Sequence, residues 1–469
     1  MSQIILIGAG GTGLSSLGFL LTDLWYTNII GVDSSENQIT KALADNGIKM
    51  IIGHGKQQIS AGDLVVYSDA CPQAPEVLSA LEIHTAWHKW AQLPMSYFSF
   101  LGEISKFFET IAIAWTHGKS TTTSLMTYAL SQCDARFWLG IIGALVPQLD
   151  NKNYRINTTY LAEIQQIFTY ILTGKNTWRD ESLRKKYRFV IEADEFNRHF
   201  LSLDIDHAII LNAELDHSDI YPNKEIYLKT FLEFIYRVKG KVFCLQGEKG
   251  TDYFLQHAAK KIISCEQEHI SLTHIFGEHN QKNATLIAQL AVQALEIPHT
   301  QILSAMESFA GLRRRMEYIT TLPSGAILYS DYGHHPTEID SVYRAMREKY
   351  PNHTISIIFQ PHQARRVLQF RDQFVSVISK FDERLIFNIY AARENLDALL
   401  DTFPSSHTID ITNIDELGDA FASDCKAPYA INYEVVSHAI KIVKPNTIIC
   451  ICSAGWLDFQ VRQEFWGKQ

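Results

Sequence analysis

Three times along the chain a short aliphatic run ends in a polar turn with glycine and gives way to a stretch of helical spacing. The runs are "QIILIGAG" at 3–10, "TIAIAWTHGKS" at 110–120 and "AILYSDYG" at 326–333. An unbroken aliphatic run of this length reads as a strand buried on both faces, and the helix that follows makes each repeat a parallel βα unit. Similar runs follow in each cycle: "NIIGVDSS" and "DLVVYSDACP", then "FVIEADE", "HAIILNAE" and "KVFCLQ", then "TISIIFQ", "RLIFNIY" and "TIICICSAG". The pattern predicts an α/β fold of three domains in line, which a chain of 469 residues is long enough to form. These are a Rossmann-like N-terminal domain over 1–107, a central P-loop ATPase-like domain over 108–312 and a Rossmann-like C-terminal domain over 313–469. The polar stretch 151–187 fits no cycle and is expected to be a surface insertion in the central domain.

Charge and cysteine usage narrow the partners. Lys and Arg number 42 against 51 Asp and Glu, a formal charge of −9, which disfavours general attraction to nucleic acid or to an anionic membrane. The seven cysteines include no CxxC pair and no spacing suited to zinc, as expected of reduced thiols in a cytoplasm. The apolar N-terminus lacks a basic leader, and no later stretch reaches the roughly 18 apolar residues that span a bilayer. The expectation is a soluble, cytoplasmic monomer or homodimer with no nucleic-acid or membrane partner.

Five constellations carry chemistry. Gly8, Gly10 and Gly13 form G-x-G-x-x-G after a strand, with Asp33 closing the next strand. That suits a pyrophosphate on the glycines and a ribose hydroxyl on the acid, and equally a tight turn with no ligand. Gly118, Lys119 and Ser120 give the G-K-[ST] end of a phosphate loop between strand and helix. There the helix N-terminus attracts anions, Lys119 neutralises the β and γ phosphates and the Ser120 hydroxyl suits Mg²⁺. Glu192, Asp194 and Glu195 end one apolar strand; Asp216, His217 and Asp219 end another. In a parallel sheet such ends gather at the ligand-bearing edge, although carboxylates in exposed turns are the plainer alternative for any one of them. His279, Asn280 and Asn283 in "GEHNQKNA" suit an adenine edge or a helix cap. Arg315, in "GLRRRMEY", suits either a solvated basic face or a clamp on a transferring phosphate.

Taken in order, these segments resemble the Mur ligase family, the ATP-dependent amide-forming enzymes of peptidoglycan synthesis. "GAGGTGLSS" is similar to the family's uridine-nucleotide loop and "THGKSTTTSL" to its ATP loop. "EADEFNRHFL" and "NAELDHSD" resemble its metal segments, and "GEHNQKNA" its adenine segment. "GLRRRME", "DYGHHPTEI", "FQPHQARR" and "IYAARE" resemble its C-terminal half, so the likeness covers almost the whole chain.

The resemblance implies a ligase that phosphorylates the lactyl carboxylate of UDP-N-acetylmuramate and passes the acyl phosphate to an amine. The C-terminal segments favour L-alanine as acceptor, with a recycled tripeptide as the rival. It implies a uridine nucleotide on Gly8, Gly10, Gly11, Gly13, Asp33 and Ser68. ATP would sit on Thr116, His117, Gly118, Lys119, Ser120, Thr121, His279, Asn280, Asn283, Arg315 and Asp331. Mg²⁺ falls to Ser120, Glu192 and His217; catalysis to Lys119, Glu192, His217 and Arg315; and the amino-acid carboxylate to His335 and Arg366.

Several residues depart from the family pattern. Trp115 and Trp25 stand at family glycines, as they would if UGA, read as glycine in some bacterial lineages, had been translated as tryptophan. A genuine Trp115 would impair or reshape the phosphate loop, since glycine allows backbone angles that a residue with Cβ resists. Ser16 replaces a glycine, Ser330 the first of two aspartates and Gln363 an arginine, while Phe231 stands where sister enzymes carry a carbamylated lysine. Trp115 and Ser330 motivate a second reading, a nucleotide-binding protein without ligase activity. The first glycine loop alone motivates a third, a dinucleotide oxidoreductase, which leaves Lys119, His217 and the arginine run unexplained.

Overall fold

The aliphatic runs become strands of three separate sheets in a computed structural model that describes residues 3–86, 93–114, 118–173, 185–215, 220–248, 250–270, 272–390 and 414–466. The first sheet contains β1 (Ile4–Ile7), β2 (Ile29–Asp33), β3 (Lys49–Ile52), β4 (Leu64–Tyr67) and β5 (Met95–Ser96). Its order is β3-β2-β1-β4-β5, parallel throughout, with Ile4 in register with both Ile29 and Leu64. The chain order reverses between β1 and β4, which opens a crevice at the carboxyl ends of these two strands.

The second sheet contains β6 (Glu109–Ala114), β7 (Phe137–Val146), β8 (Lys152–Ile156), β9 (Arg188–Ala193), β10 (His207–Ile210), β11 (Val242–Leu245) and β12 (Ile262–Cys265), in the order β12-β11-β10-β6-β9-β7-β8. Only the β7–β8 pair is antiparallel. The third contains β13 (Glu317–Thr321), β14 (Ile327–Asp331), β15 (Thr354–Gln360), β16 (Glu383–Phe387), β17 (Tyr429–Ala430) and β18 (Thr447–Ser453), in the order β13-β14-β18-β15-β16-β17, with β13 antiparallel to β14.

The described chain separates into two compact units, Met1–His274 with Gln281–Ala310, and Ile275–Asn280 with Gly311–Gln469. The first holds two sheets on one continuous core that runs from Leu6, Leu17 and Leu20 through Phe108, Trp138 and Phe168 to Phe231. In the second, residues such as Ile355, Ile357 and Phe359 fill one face of the sheet while Leu328, Ile358 and Ile451 fill the other. Strands covered on both faces explain the unbroken aliphatic runs.

The stretch at 151–187 is not a surface insertion where it is described. Lys152–Ile156 extends the second sheet, and the helix Leu161–Thr173 buries Ile164, Ile167 and Phe168. Asp23 of the first helix accepts from Lys152 at 2.8 Å and from Tyr154 at 2.5 Å, and Thr12 O accepts from the Asn153 amide at 3.0 Å. An edge strand whose polar residues bond a neighbouring helix carries no aliphatic run to reveal it.

The helix Thr12–Asp23 closes with two reversed bonds, Trp25 N–H to Thr22 O at 2.8 Å and Tyr26 N–H to Leu21 O at 3.0 Å. This closure puts the residue after the cap in the left-handed region, where Trp25 stands at φ 65° with 72% of its surface exposed. Glycine takes that conformation without conflict at Cβ, in agreement with the glycine the resemblance puts there. Trp25→Gly is expected to stabilise the protein by about 0.5–1 kcal/mol, relief of left-handed strain exceeding the cost of a freer unfolded chain. Urea unfolding midpoints measure this, and a lower midpoint for the glycine form would refute it.

Candidate functional site

The turn after β6 leads into the helix Lys119–Cys133 through Gly118, whose φ of 90° suits glycine. The first helical turn presents Lys119, Ser120 and Thr121 with the unpaired amides of the helix start. Hydroxyls that would compete with the helix bond back within it: Thr122 to Gly118 O at 3.0 Å and Ser124 to Ser120 O at 2.6 Å. Trp115, Thr116 and His117 lie outside the described residues.

Beside this turn the end of β9 delivers three carboxylates. The Lys119 ammonium lies 2.7 Å from Glu195 Oε2, a fully buried side chain. Burial opposes the lysine's charge, but Glu195 first, then Asp194 and Glu192, outweigh it and raise its pKa. The Ser120 hydroxyl donates to Glu192 Oε1 at 3.1 Å and the Gly143 N–H donates to Glu192 Oε2 at 2.8 Å. Burial lifts the Glu192 pKa above the usual carboxylate range. A hydroxyl and a carboxylate converging at one helix start are the hard oxygen donors that suit Mg²⁺. Among the described residues no three His, Cys, Asp or Glu side chains form a metal cluster, and His217, with Asp216 and Asp219, lies outside them.

Asn283 also reaches this turn: a Cβ on Gly118 would stand 3.6 Å from its amide nitrogen. His279 and Asn280 belong to the second compact unit. The Asn280 amide donates to Phe276 O at 2.8 Å while its Oδ1 is buried with no hydrogen-bond partner, an acceptor available to a ligand donor. Phe231 packs in an aromatic cluster with Phe200, Tyr227 and Phe254, so it is a core residue.

At the β1/β4 crevice, Gly8 has φ 84° and lies so close to Ser68 that a Cβ on it would stand 2.9 Å from that of Ser68. Gly11 begins the helix, and Gly13 lies in its first turn. Asp33, expected to meet a ribose, is bonded to the glycine turn. Its Oδ2 accepts the Gly10 N–H at 2.7 Å, bracing the glycine turn from the neighbouring strand end. Ser16 is buried, donating to Gly13 O at 2.5 Å, with its hydroxyl 3.4 Å from that of Tyr97.

In the second unit the ends of β14, β18 and β15 bring Asp331, Ser453 and Gln360 to one edge. Asp331 is buried, accepting the N–H groups of Met316 and Gly333 at 2.8 and 2.7 Å. Arg315 lies 3.4 Å from Glu338 Oε1 and over the Tyr332 ring. His335 caps the helix Pro336–Lys349, its Nδ1 accepting from Thr337 N–H at 3.3 Å, with its ring edge-on to Phe370. Arg366 is buried and, with His334 and Arg314, adds to the burial that depresses the His362 pKa to about 4. Gln363, next in sequence, holds a strained φ of 69° with ψ 123°.

The Ser330 hydroxyl donates to the buried carboxylate of Asp458, which also pairs with Arg314 and Arg462. An aspartate at 330 would face that carboxylate in a buried site, so serine here matches its neighbour and is no mark of a dismantled site. Spacing gave no sign of Asp458, which the fold brings to Ser330 and two arginines.

Two family descriptions match the chain: "Mur ligase middle domain" over residues 113–266 and "Mur ligase, glutamate ligase domain" over 314–455. A UDP-N-acetylmuramate–L-alanine ligase of Psychrobacter cryohalolentis is 30% identical over 433 residues, 84% of this chain and 82% of that protein. The crystal structure of the UDP-N-acetylmuramate-alanine ligase of Thermotoga maritima matches with TM-score 0.70 at 20% identity, covering 99% of this chain and 98% of that one. A murein peptide ligase of Psychrobacter arcticus matches with TM-score 0.60 at 20% identity, covering 100% of both chains. These two structures share the fold. Among the described residues no helix is long and apolar enough to cross a membrane.

The buried Asp331 gives this edge a pH signature. Burial raises its pKa to about 6 against the pull of Arg315 and of its two backbone donors. The folded protein therefore holds a proton that the unfolded chain releases near pH 4. That contribution to stability is complete below about pH 4 and is lost as pH rises through about 6. Relative to Asp331→Asn, the wild type should lose stability between pH 4 and 7 in urea unfolding. A difference that stays flat or grows with pH would contradict the assignment.

Proposed function

The chain belongs to the Mur ligase family, and on that premise we propose that it joins L-alanine to the lactyl carboxylate of UDP-N-acetylmuramate in peptidoglycan precursor synthesis, forming ADP through an acyl phosphate. The observation that carries this reading is the Lys119 ammonium held 2.7 Å from a buried carboxylate at the start of a helix, with Ser120 and Glu192 beside it. A phosphoryl group moving between two anionic reactants needs such preplaced charge. The naming of the Psychrobacter cryohalolentis relative supports alanine as the amino acid.

The chain divides the work by strand edge. Gly8, Gly10, Gly11, Gly13 and Ser68 bind the uridine diphosphate at the β1/β4 crevice, and Asp33 keeps their turn in shape. Gly118, Lys119, Ser120, Thr121 and Asn283 bind the ATP phosphates, together with Thr116 and His117. Lys119 leaves Glu195 for the phosphoryl oxygens and neutralises the charge that gathers on them. Ser120, Glu192 and His217 would hold Mg²⁺, which would supply further neutralisation of the triphosphate. In the second unit Arg315, Asp331, His279 and Asn280 contact the nucleotide, and His335 and Arg366 orient the amino-acid carboxylate. With Nδ1 accepting from Thr337, His335 carries its proton on Nε2 and can donate from there. The domains proposed for this work are 1–107, 108–312 and 313–469, in the cytoplasm.

A second reading, addition of a tripeptide to the same sugar nucleotide, is favoured by the fold shared with the murein peptide ligase. Both are tested by incubating the purified protein, as the sequence stands and with Trp25→Gly and Trp115→Gly, with ATP, UDP-N-acetylmuramate and either L-alanine or the tripeptide. ADP and phosphate should appear only with the sugar nucleotide and alanine together. AMP and pyrophosphate would overturn the acyl-phosphate route. Turnover with the tripeptide alone would select the second reading, and turnover by no form would select a nucleotide-binding protein without ligase activity.

A further inference from the structure

Between the two strand edges of the first compact unit lies an imidazole, in the segment "EADEFNRHFL", to which none of the roles above is given. His199 is 9% exposed. Its Nε2 lies 3.4 Å from Asp69 Oδ2, in the turn after β4, and its Nδ1 lies 3.8 Å from Asp194 Oδ2, in the turn after β9. The Phe98 ring stacks on it at 4.0 Å, nearly parallel. Asp69 adjoins Ser68, which abuts Gly8, and Asp194 adjoins Glu195, which holds Lys119. One side chain therefore stands between the turn after β4, which abuts the glycine loop, and the turn after β9, which holds Lys119.

The backbone that delivers His199 is strained. Asn197 and Arg198, the two residues before it, both take left-handed angles, φ 48° and 59°. Two successive non-glycine residues in that region persist only where the surroundings impose them, and such strain concentrates at functional sites. Burial works against a charge on His199, yet Asp194 and Asp69 outweigh it and raise its pKa to about 9. It is a cation at neutral pH, placed between two anions.

We infer that His199 is a positioning residue that locks the Ser68–Asp69 turn, and with it the sugar-nucleotide crevice, onto the end of β9. The inference rests on the ligase reading for the identity of the ligand in that crevice. The two partners are not equally dependent on it. Asp194 also accepts the Phe196 N–H at 3.1 Å and feels the charge of Lys119. For Asp69, His199 is the ion-pair partner among the described residues. Loss of the imidazole should therefore release the sugar side and leave the phosphate loop in place.

The test compares full-length wild type with His199→Ala, Asp69→Asn and the double variant, recording KM for UDP-N-acetylmuramate, kcat, and the Kd of ATP measured without sugar nucleotide. Breaking a buried charge pair should raise KM about tenfold or more in each single variant. The double variant should be no worse than the worse single, kcat should fall by less than KM rises, and ATP affinity should stay within about threefold. A merely structural role would instead lower thermal stability and weaken both ligands alike. Asp69→Asn, in a half-exposed turn, keeps the comparison open where His199→Ala folds poorly. The inference is overturned by unchanged KM in both single variants, by additive effects, or by an equal loss of ATP affinity. The wild type's own turnover decides the ligase reading; the ratio of variant to wild type decides this one.

Discussion

The local structure around the phosphate loop depends on one buried cation. Lys119 sits among Glu192, Asp194 and Glu195, and the buried charge of Glu195 is tolerable because the ammonium pairs with it directly. The ammonium fixes where β9 ends against the helix Lys119–Cys133. The hydroxyl of Ser120 and the amide of Gly143 each donate to one oxygen of Glu192. On the proposed reading, a phosphate entering here takes the place of Glu195 as the lysine's partner.

Outward from that pair, each sheet contributes its carboxyl edge, as open parallel sheets do. The glycine turn of the first sheet is braced by Asp33 through the Gly10 amide, and Asn283 lies beside Gly118 at the phosphate turn of the second. The edge of the third gathers Asp331, Gln360 and Ser453, with Gln360 Oε1 accepting from the Ser453 hydroxyl at 2.9 Å. In the first and third sheets a polar side chain from one strand end bonds the turn of a neighbour. Turn conformation therefore depends on sheet order as much as on local sequence.

That dependence marks what the sequence makes legible. Aliphatic runs announce strands covered on both faces, and glycine with lysine or serine announces a phosphate turn, because both signals are local. The polar edge strand Lys152–Ile156 and the helix Leu161–Thr173 escape, since their partners lie in the first helix and a distant core. The bond from the Gly10 amide to Asp33 and the capping bond from Thr337 to His335 are likewise invisible until the fold is in hand. Ser330 reads as a lost aspartate until Asp458 is found facing it. His199 and Asp69 stand 130 residues apart with no spacing to link them, and only the packing of two sheets on one core unites them.

The most direct measurement is the turnover of Lys119→Ala with ATP, UDP-N-acetylmuramate and L-alanine, alongside its melting curve. If Lys119 stabilises the transferring phosphoryl group, turnover should fall by about 10²–10³-fold or more while unfolding stays cooperative. Near-wild-type turnover by the folded variant would contradict the placement of the nucleotide at this turn.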